Sequence, residues 1–200
     1  YFQKMQLSNP KTRPDGFTPA QLLRSIREEV SSLITRQRKA RTHIFNLLEQ
    51  EGIHFLKMHQ LNDSQQQAIF HYFKEEIFPV LTPLAVDHAR PFPFISNLSL
   101  NLGVYLERGS DEESSELEFA RIKVPVEFLP RIVRLEKVME NYAGIEQDSY
   151  HFLWIEDIIR ENLSVLFPGM SIIEAYPFRI LRNTDIDYEH EQEEELLDVK

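Results

Sequence analysis

From Leu98 onward the apolar residues of this chain recur at every second position: Leu98, Leu100, Leu102, Val104 and Leu106 in "LSLNLGVYLE". A period of two commits the stretch to a strand with one buried and one polar face. Such a strand needs a partner on each edge and a cover over its apolar side. A second alternating stretch, "LEFARIKVP" over 117–125, follows the acidic, serine-rich "RGSDEESSE" of 108–116. Residues 98–124 therefore read as a hairpin with a long solvated loop.

Upstream the period is helical. Thr18, Pro19 and Gln21 in "TPAQ" supply a side-chain cap, a tolerated first-turn proline and a capping box. Leu22, Ile26, Val30, Leu33, Ile44 and Leu48 fall on one stripe, which predicts a helix to near Gln50 with Gly52 as its stop. Gln37 sits in the middle of that stripe and is expected to find a hydrogen-bond partner or a wet pocket. The polar residues of "LNDS" cap a second helix, "QQQAIFHYFKEEIF", ended by Pro79 and Pro83.

Beyond the hairpin, "RIVRLEKVM" reads as a strand and "WIEDIIRENLSVLF" as a helix stopping at Pro168–Gly169. "MSIIEAYPFRILRN" reads as a strand whose Pro177 suggests an edge or a bulge. The acidic tail over 185–200 reads as a helix start or as disorder. The expected fold class is α+β: a long N-terminal helix, or helix pair, followed by a small, mostly antiparallel sheet with packed helices.

The chain has no cysteine, which excludes disulfides, thiolate metal sites and cysteine nucleophiles. No apolar run is long enough to span a membrane, and no secretory pattern opens the sequence, so the expectation is cytoplasmic. The net charge of −10 opposes a general nucleic-acid binder but is unevenly spread. Residues 1–60 carry 10 Lys and Arg against 5 Asp and Glu, whereas 61–200 carry 12 against 27.

No nucleotide-cradling glycine loop, HExxH, G-x-S-x-G or EF-hand pattern occurs. The seven histidines (43, 54, 59, 71, 88, 151 and 190) lack ligand spacing; only His54 and His59 are close, and five residues suits neither a helix nor a strand face. In the basic run "TRQRKART", Arg36 and Lys39 flank the apolar stripe on one side, Arg38 and Arg41 on the other. A solvated helix surface explains that better than a one-sided phosphate grip. The acidic clusters 111–118 and 185–198 read as solvated, and Tyr72, Phe73, Phe78, Phe92 and Phe94 as core. Pro91 and Pro93 hold Arg90 and Phe92 extended and deliver the chain stiffly into the strand, a structural role.

Residues 77–107, "IFPVLTPLAVDHARPFPFISNLSLNLGVYLE", resemble a signature in the head domain of the bacterial-type polyphosphate kinase family. Further matches follow the family's order: "DGFTPAQLL", "FARIKVP", "LPRIVRLE", "LFPGM" and "FRILRNTDIDYEHEQEEELL". His88 and Arg90 depart from the family's usual Asp-Pro-x-His at one turn.

The resemblance implies that 1–58 is the C-terminal part of an N-terminal helical domain and 59–200 a head domain truncated at its C-terminal end. It implies a parent enzyme that moves the terminal phosphate of ATP reversibly to inorganic polyphosphate, with Mg2+ and a phosphohistidine intermediate. That histidine would lie in phospholipase-D-like domains beyond Lys200, and the adenine-contacting asparagine before Tyr1. No catalytic, cofactor-binding or metal residue carries over to this chain, which is expected to bind no cofactor and to be inactive alone.

The implied role is a scaffold within a homodimer or larger homo-oligomer, cytoplasmic or in a membrane-associated complex. Its expected partners are polyphosphate and ATP/ADP, with no nucleic acid. The basic portion would border the polyanion path. The other reading is a stand-alone, dimerising interaction module without enzymatic role, which self-association at micromolar concentration would favour.

Overall fold

The computed structural model describes residues 17–86, 94–108, 116–139 and 149–181. The chain divides into two compact units, Tyr1–His54 and Phe55–Lys200. The acidic tail, most of the loop after residue 108, and Arg90, Pro91, Phe92 and Pro93 lie outside the described residues.

The first unit is built on α1 (Pro19–Gln50), a 32-residue helix. Its start is the expected capping box: the Gln21 N–H donates to Thr18 Oγ1 at 3.3 Å and the Thr18 N–H to Gln21 Oε1 at 2.9 Å. Gly52 turns the chain out at a φ of 74°, where a side chain would be strained. The apolar stripe is present but open: Ile26, Val30, Leu33, Ile44 and Leu47 are all exposed. Gln37 is exposed as well, its amide open to solvent rather than enclosed in a pocket.

β1 (Ile53–Phe55) ends at the first residue of the second unit. There, Asn62 caps α2 (Asp63–Tyr72) with a second capping box to Gln65. The helix continues through a widened turn, Phe73–Ile77, and a tight one, Phe78–Val80, before the prolines end it. Ile69, Phe73 and Ile77 recur every fourth residue and are fully buried.

The main sheet is antiparallel, in the order β2-β4-β3-β7, from β2 (Pro83–Val86), β3 (Leu100–Arg108), β4 (Glu116–Lys123) and β7 (Met170–Arg179). β3 pairs with β4 from Asn101 opposite Lys123 to Arg108 opposite Glu116, the expected hairpin. Leu100, Leu102, Val104 and Leu106 face the core with Ala120, Ile122 and Val124, in one cluster with the α2 residues. β7 lies at the edge, where Pro177 costs no ladder bond on the open side. Ile173 is the extra residue between Glu174, opposite Tyr105, and Ile172, opposite Leu106: a β-bulge.

The second, smaller sheet pairs β5 (Ile132–Arg134) with β6 (Tyr150–Trp154). Leu56 donates its N–H to the Phe152 carbonyl of β6 at 2.8 Å. The Phe55 ring stacks on Phe152 and Trp154, at 5.5 and 5.2 Å. "RIVRLEKVM" is only partly strand, since the helical turn α3 (Leu135–Val138) replaces its second half. The helix expected over 154–167 is split at Asn162 into α4 (Ile155–Glu161) and α5 (Leu163–Leu166). The Asn162 side chain caps the Ile158 carbonyl at 2.8 Å, a local bond that competes with continued helix. β1, β2 and β6 lie where no strand was expected.

Leu98 does not belong to β3. Its φ is +62°, in a turn closed by the Ser99 N–H on the Ser96 carbonyl at 3.3 Å, and its side chain is 55% exposed. A side-chain-bearing residue costs about 1–2 kcal/mol in that backbone region. Leu98→Gly is therefore expected to raise unfolding stability by about 0.5–1 kcal/mol, against a loss of about 2–5 kcal/mol for Leu100→Ala. Urea unfolding of both variants reads the two signs; a destabilised Leu98→Gly would mean the leucine packs more than it strains.

Candidate functional site

On α1, Arg36, Arg38, Lys39 and Arg41 are all exposed. The Arg41 guanidinium stands 5.5 Å over the Phe45 ring, a contact that fixes its direction. No ion pair neutralises these four among the described residues. The run is thus a band of free positive charge on both flanks of an open apolar stripe.

In the second unit the charges are spent on cross-links. Arg131, after the β4–β5 connection, grips Glu156 at the start of α4 with Nη2–Oε1 at 2.6 Å and Nε–Oε1 at 3.0 Å. Its guanidinium lies 4.9 Å over the Trp154 ring. Asp157, beside it, takes Lys57 Nζ at 3.0 Å on one oxygen and Arg160 Nη2 at 2.8 Å on the other. Glu136 on α3 accepts Arg134 Nε at 3.1 Å, and both the backbone N–H and Nδ1 of His151, at 2.7 and 2.9 Å. Arg134 also stands 4.6 Å over the Tyr150 ring.

These three carboxylates tie β5, β6, α3 and α4 together. Burial pushes the Glu136 pKa up, but hydrogen bonds from its own backbone and from His151 and Arg134 outweigh that and hold it below the ordinary glutamate value. A carboxylate held ionised by three donors is poorly placed to shuttle a proton.

Two clefts open on this unit. One, of about 410 Å³, is lined by Met58, His59, Asp63, Gln66, Phe70 and Asn162, among others. Its Gln66 and Asn162 amides are committed to the Leu61 and Ile158 carbonyls. The other, of about 320 Å³, is lined by Tyr72, Glu75, Glu76, Arg134 and Lys137 with their neighbours. Burial, then the Glu76 charge, pushes the Tyr72 hydroxyl pKa up.

Of the histidines, His71 meets Glu75 at 3.2 Å and His151 meets Glu136, while His88 and His190 lie outside the described residues. No group of three or more metal-ligating side chains comes together among the described residues. Phe73 is core as expected and meets Phe78 edge-on, but Phe78 and Phe94 are exposed, which corrects their reading as core. Sequence reasoning singled out none of the cross-linking pairs, whose members lie up to 100 residues apart.

The family description "Polyphosphate kinase middle domain" matches residues 64–199. The chain belongs to the polyphosphate kinase family. Polyphosphate kinase from Prosthecochloris aestuarii is 43% identical over 186 residues, covering 92% of this chain and 25% of that protein. The polyphosphate kinase of Mycobacterium tuberculosis is 41% identical over 187 residues, with 92% and 25% covered. The crystal structure of polyphosphate kinase from Porphyromonas gingivalis superposes with a TM-score of 0.64 at 27% identity, over 78% of this chain and 25% of that one. The chain therefore spans about a quarter of these relatives' length.

Among the described residues no helix is long and apolar enough to cross a membrane.

The Glu136 linkage has a definite sign. A carboxylate whose folded pKa is depressed stabilises the fold above its unfolded pKa of about 4.3, and that contribution vanishes as pH falls through the folded value. Glu136→Gln is expected to melt below the parent chain at pH 7, with the gap closing as pH is lowered beneath that range. A gap of equal size at pH 7 and pH 3 would show that charge at position 136 is not what matters.

Proposed function

We propose that this chain is the non-catalytic scaffold portion of a polyphosphate kinase, with the chemistry carried by other parts of the parent polypeptide. In this reading residues 1–58 are the end of an N-terminal helical domain and 59–200 most of a head domain. The parent transfers the terminal phosphate of ATP, with Mg2+, to inorganic polyphosphate through a phosphohistidine outside these residues. The head contributes to homodimer contacts.

The observation that carries the reading is the fate of the carboxylates. Glu136, Glu156 and Asp157, three of the acids withdrawn from solvent in the second unit, are consumed in ion pairs that brace strands against helices. Charged groups spent this way organise a fold and leave little for acid–base work. The open apolar stripe of α1 adds support, because a helix with one apolar face is a bundle helix awaiting its neighbours. That same exposure favours the second reading, a dimerising module, to the extent that the purified chain self-associates.

The α1 cations, which form no ion pair among the described residues, supply the link to substrate: positive potential concentrates a polyanion beside the helix. Replacing Arg36, Arg38, Lys39 and Arg41 by glutamine is expected to weaken binding of long-chain polyphosphate at low salt by roughly tenfold, about 1.4 kcal/mol. The wild-type affinity is expected to fall as salt is added. Unchanged affinity in the four-site variant, measured by sedimentation or calorimetry, would detach α1 from the polyanion path. Polyphosphate synthesis by the 200-residue chain alone would overturn the scaffold reading itself.

A further inference from the structure

On the face of the main sheet turned away from the core, one buried charge has no ion pair among the described residues. Arg121, at the middle of β4, is only 7% exposed. Its one side-chain hydrogen bond among the described residues runs from Nε to Asn101 Oδ1, at 2.7 Å. No carboxylate among the described residues pairs with it. Its neighbours across the ladder are Gly103 on β3 and Leu84 on β2, neither of which has a charge to offer. Lys123, on the same face, already holds Glu127 at 2.7 Å. Buried charges are ordinarily paired, and the second unit otherwise follows that rule closely. Burial lowers the guanidinium's pKa.

The residue that could have supplied the counter-charge is an amide instead. Asn101 is fully buried, and an aspartate there would neutralise Arg121 in place. The asparagine is itself held: Nδ2 donates to the Ser99 carbonyl at 2.9 Å and to Ser99 Oγ at 3.0 Å. Ser99 Oγ in turn donates to the Ser96 carbonyl at 2.8 Å, across the turn that forces Leu98 to its positive φ. A strained turn therefore fixes a serine, which fixes an amide, which fixes a guanidinium by its Nε edge. That leaves the two terminal nitrogens, the fork that recognises an oxyanion with two parallel bonds. No buried side-chain nitrogen or oxygen among the described residues lacks a partner, so these terminal nitrogens keep their contact with water. Gly103 keeps the surroundings open to the Phe119 and Phe178 rings: a Cβ there would stand 3.1 Å from Phe119 and 3.4 Å from Phe178.

We propose that Arg121, oriented by Asn101 and Ser99, is a binding site for a phosphate oxyanion on the outer face of the sheet. A phosphate group accepts both guanidinium N–H groups at once and supplies the missing negative charge. The choice of phosphate over carboxylate rests on the reading of this chain as part of a polyphosphate kinase; the geometry of the fork does not.

The test is a pyrophosphate titration of the 200-residue chain at fixed ionic strength, following the arginine Nε–Hε resonances by NMR, with acetate as the carboxylate probe. The Arg121 signal is expected to shift saturably with pyrophosphate and not with acetate. Arg121→Lys keeps the charge but loses the fork and is expected to bind about tenfold more weakly. Asn101→Asp is expected to abolish binding while melting at the same temperature or higher, so the test survives an Arg121 variant that fails to fold. An Arg121 signal indifferent to pyrophosphate, or wild-type binding by Asn101→Asp, would overturn the site. Equal response to acetate would overturn its assignment to phosphate. Because the probe is short and the readout is Arg121 itself, failure here is separate from failure of the four-site variant of α1 on long chains.

Discussion

The ladder of β3 with β4 and β7 is the constraint on which the second unit depends. β3 is hydrogen-bonded on both edges, and its alternation leaves no choice of register. A slip of one residue would turn Leu100, Leu102, Val104 and Leu106 to the outer face and drive Asn101 and Tyr105 into the core. Burying those four apolar side chains is worth about 1.5–3 kcal/mol each. The irregularity the sheet does contain, the bulge at Ile173, falls on β7, where pairing exists on one side only and an extra residue disturbs least.

What the sequence made legible follows the range of the interactions. α1 was readable to the residue because a capping box, a first-turn proline and a terminal glycine act within a few positions of one another. The β3–β4 hairpin was readable because alternation is local on each strand. Three strands escaped: β1, β2 and β6. "PLAV" begins with a proline that reads as the end of the preceding helix, although the same residue is acceptable at the start of an edge strand. "YHFLW" has no alternation, being covered on both faces by Phe55, Arg131, Arg134 and the core.

The exposure of the α1 stripe was not legible, since a period shows which face is apolar and not what covers it. The ion pairs were invisible for a different reason. Lys57 and Asp157 are 100 residues apart, Arg131 and Glu156 are 25, and only the folded sheet brings them within 3.0 and 2.6 Å.

Charge placement follows one rule through the second unit. The second unit is strongly acidic in sequence, yet Glu136, Glu156 and Asp157 are each matched by a cation that also covers an aromatic ring or bridges two elements. Arg131 on Trp154 and Arg134 on Tyr150 show the economy: one guanidinium both neutralises a carboxylate and shields the small sheet's face from water. A framework assembled this way has its electrostatics closed on itself, and a residue outside that closure stands out against it. Arg121 is buried as deeply as Glu156 and Asp157 but meets an amide where they meet cations. The same physics that makes the cross-links structural, the cost of an uncompensated charge away from water, makes their absence at Arg121 a statement about something the sheet is shaped to receive.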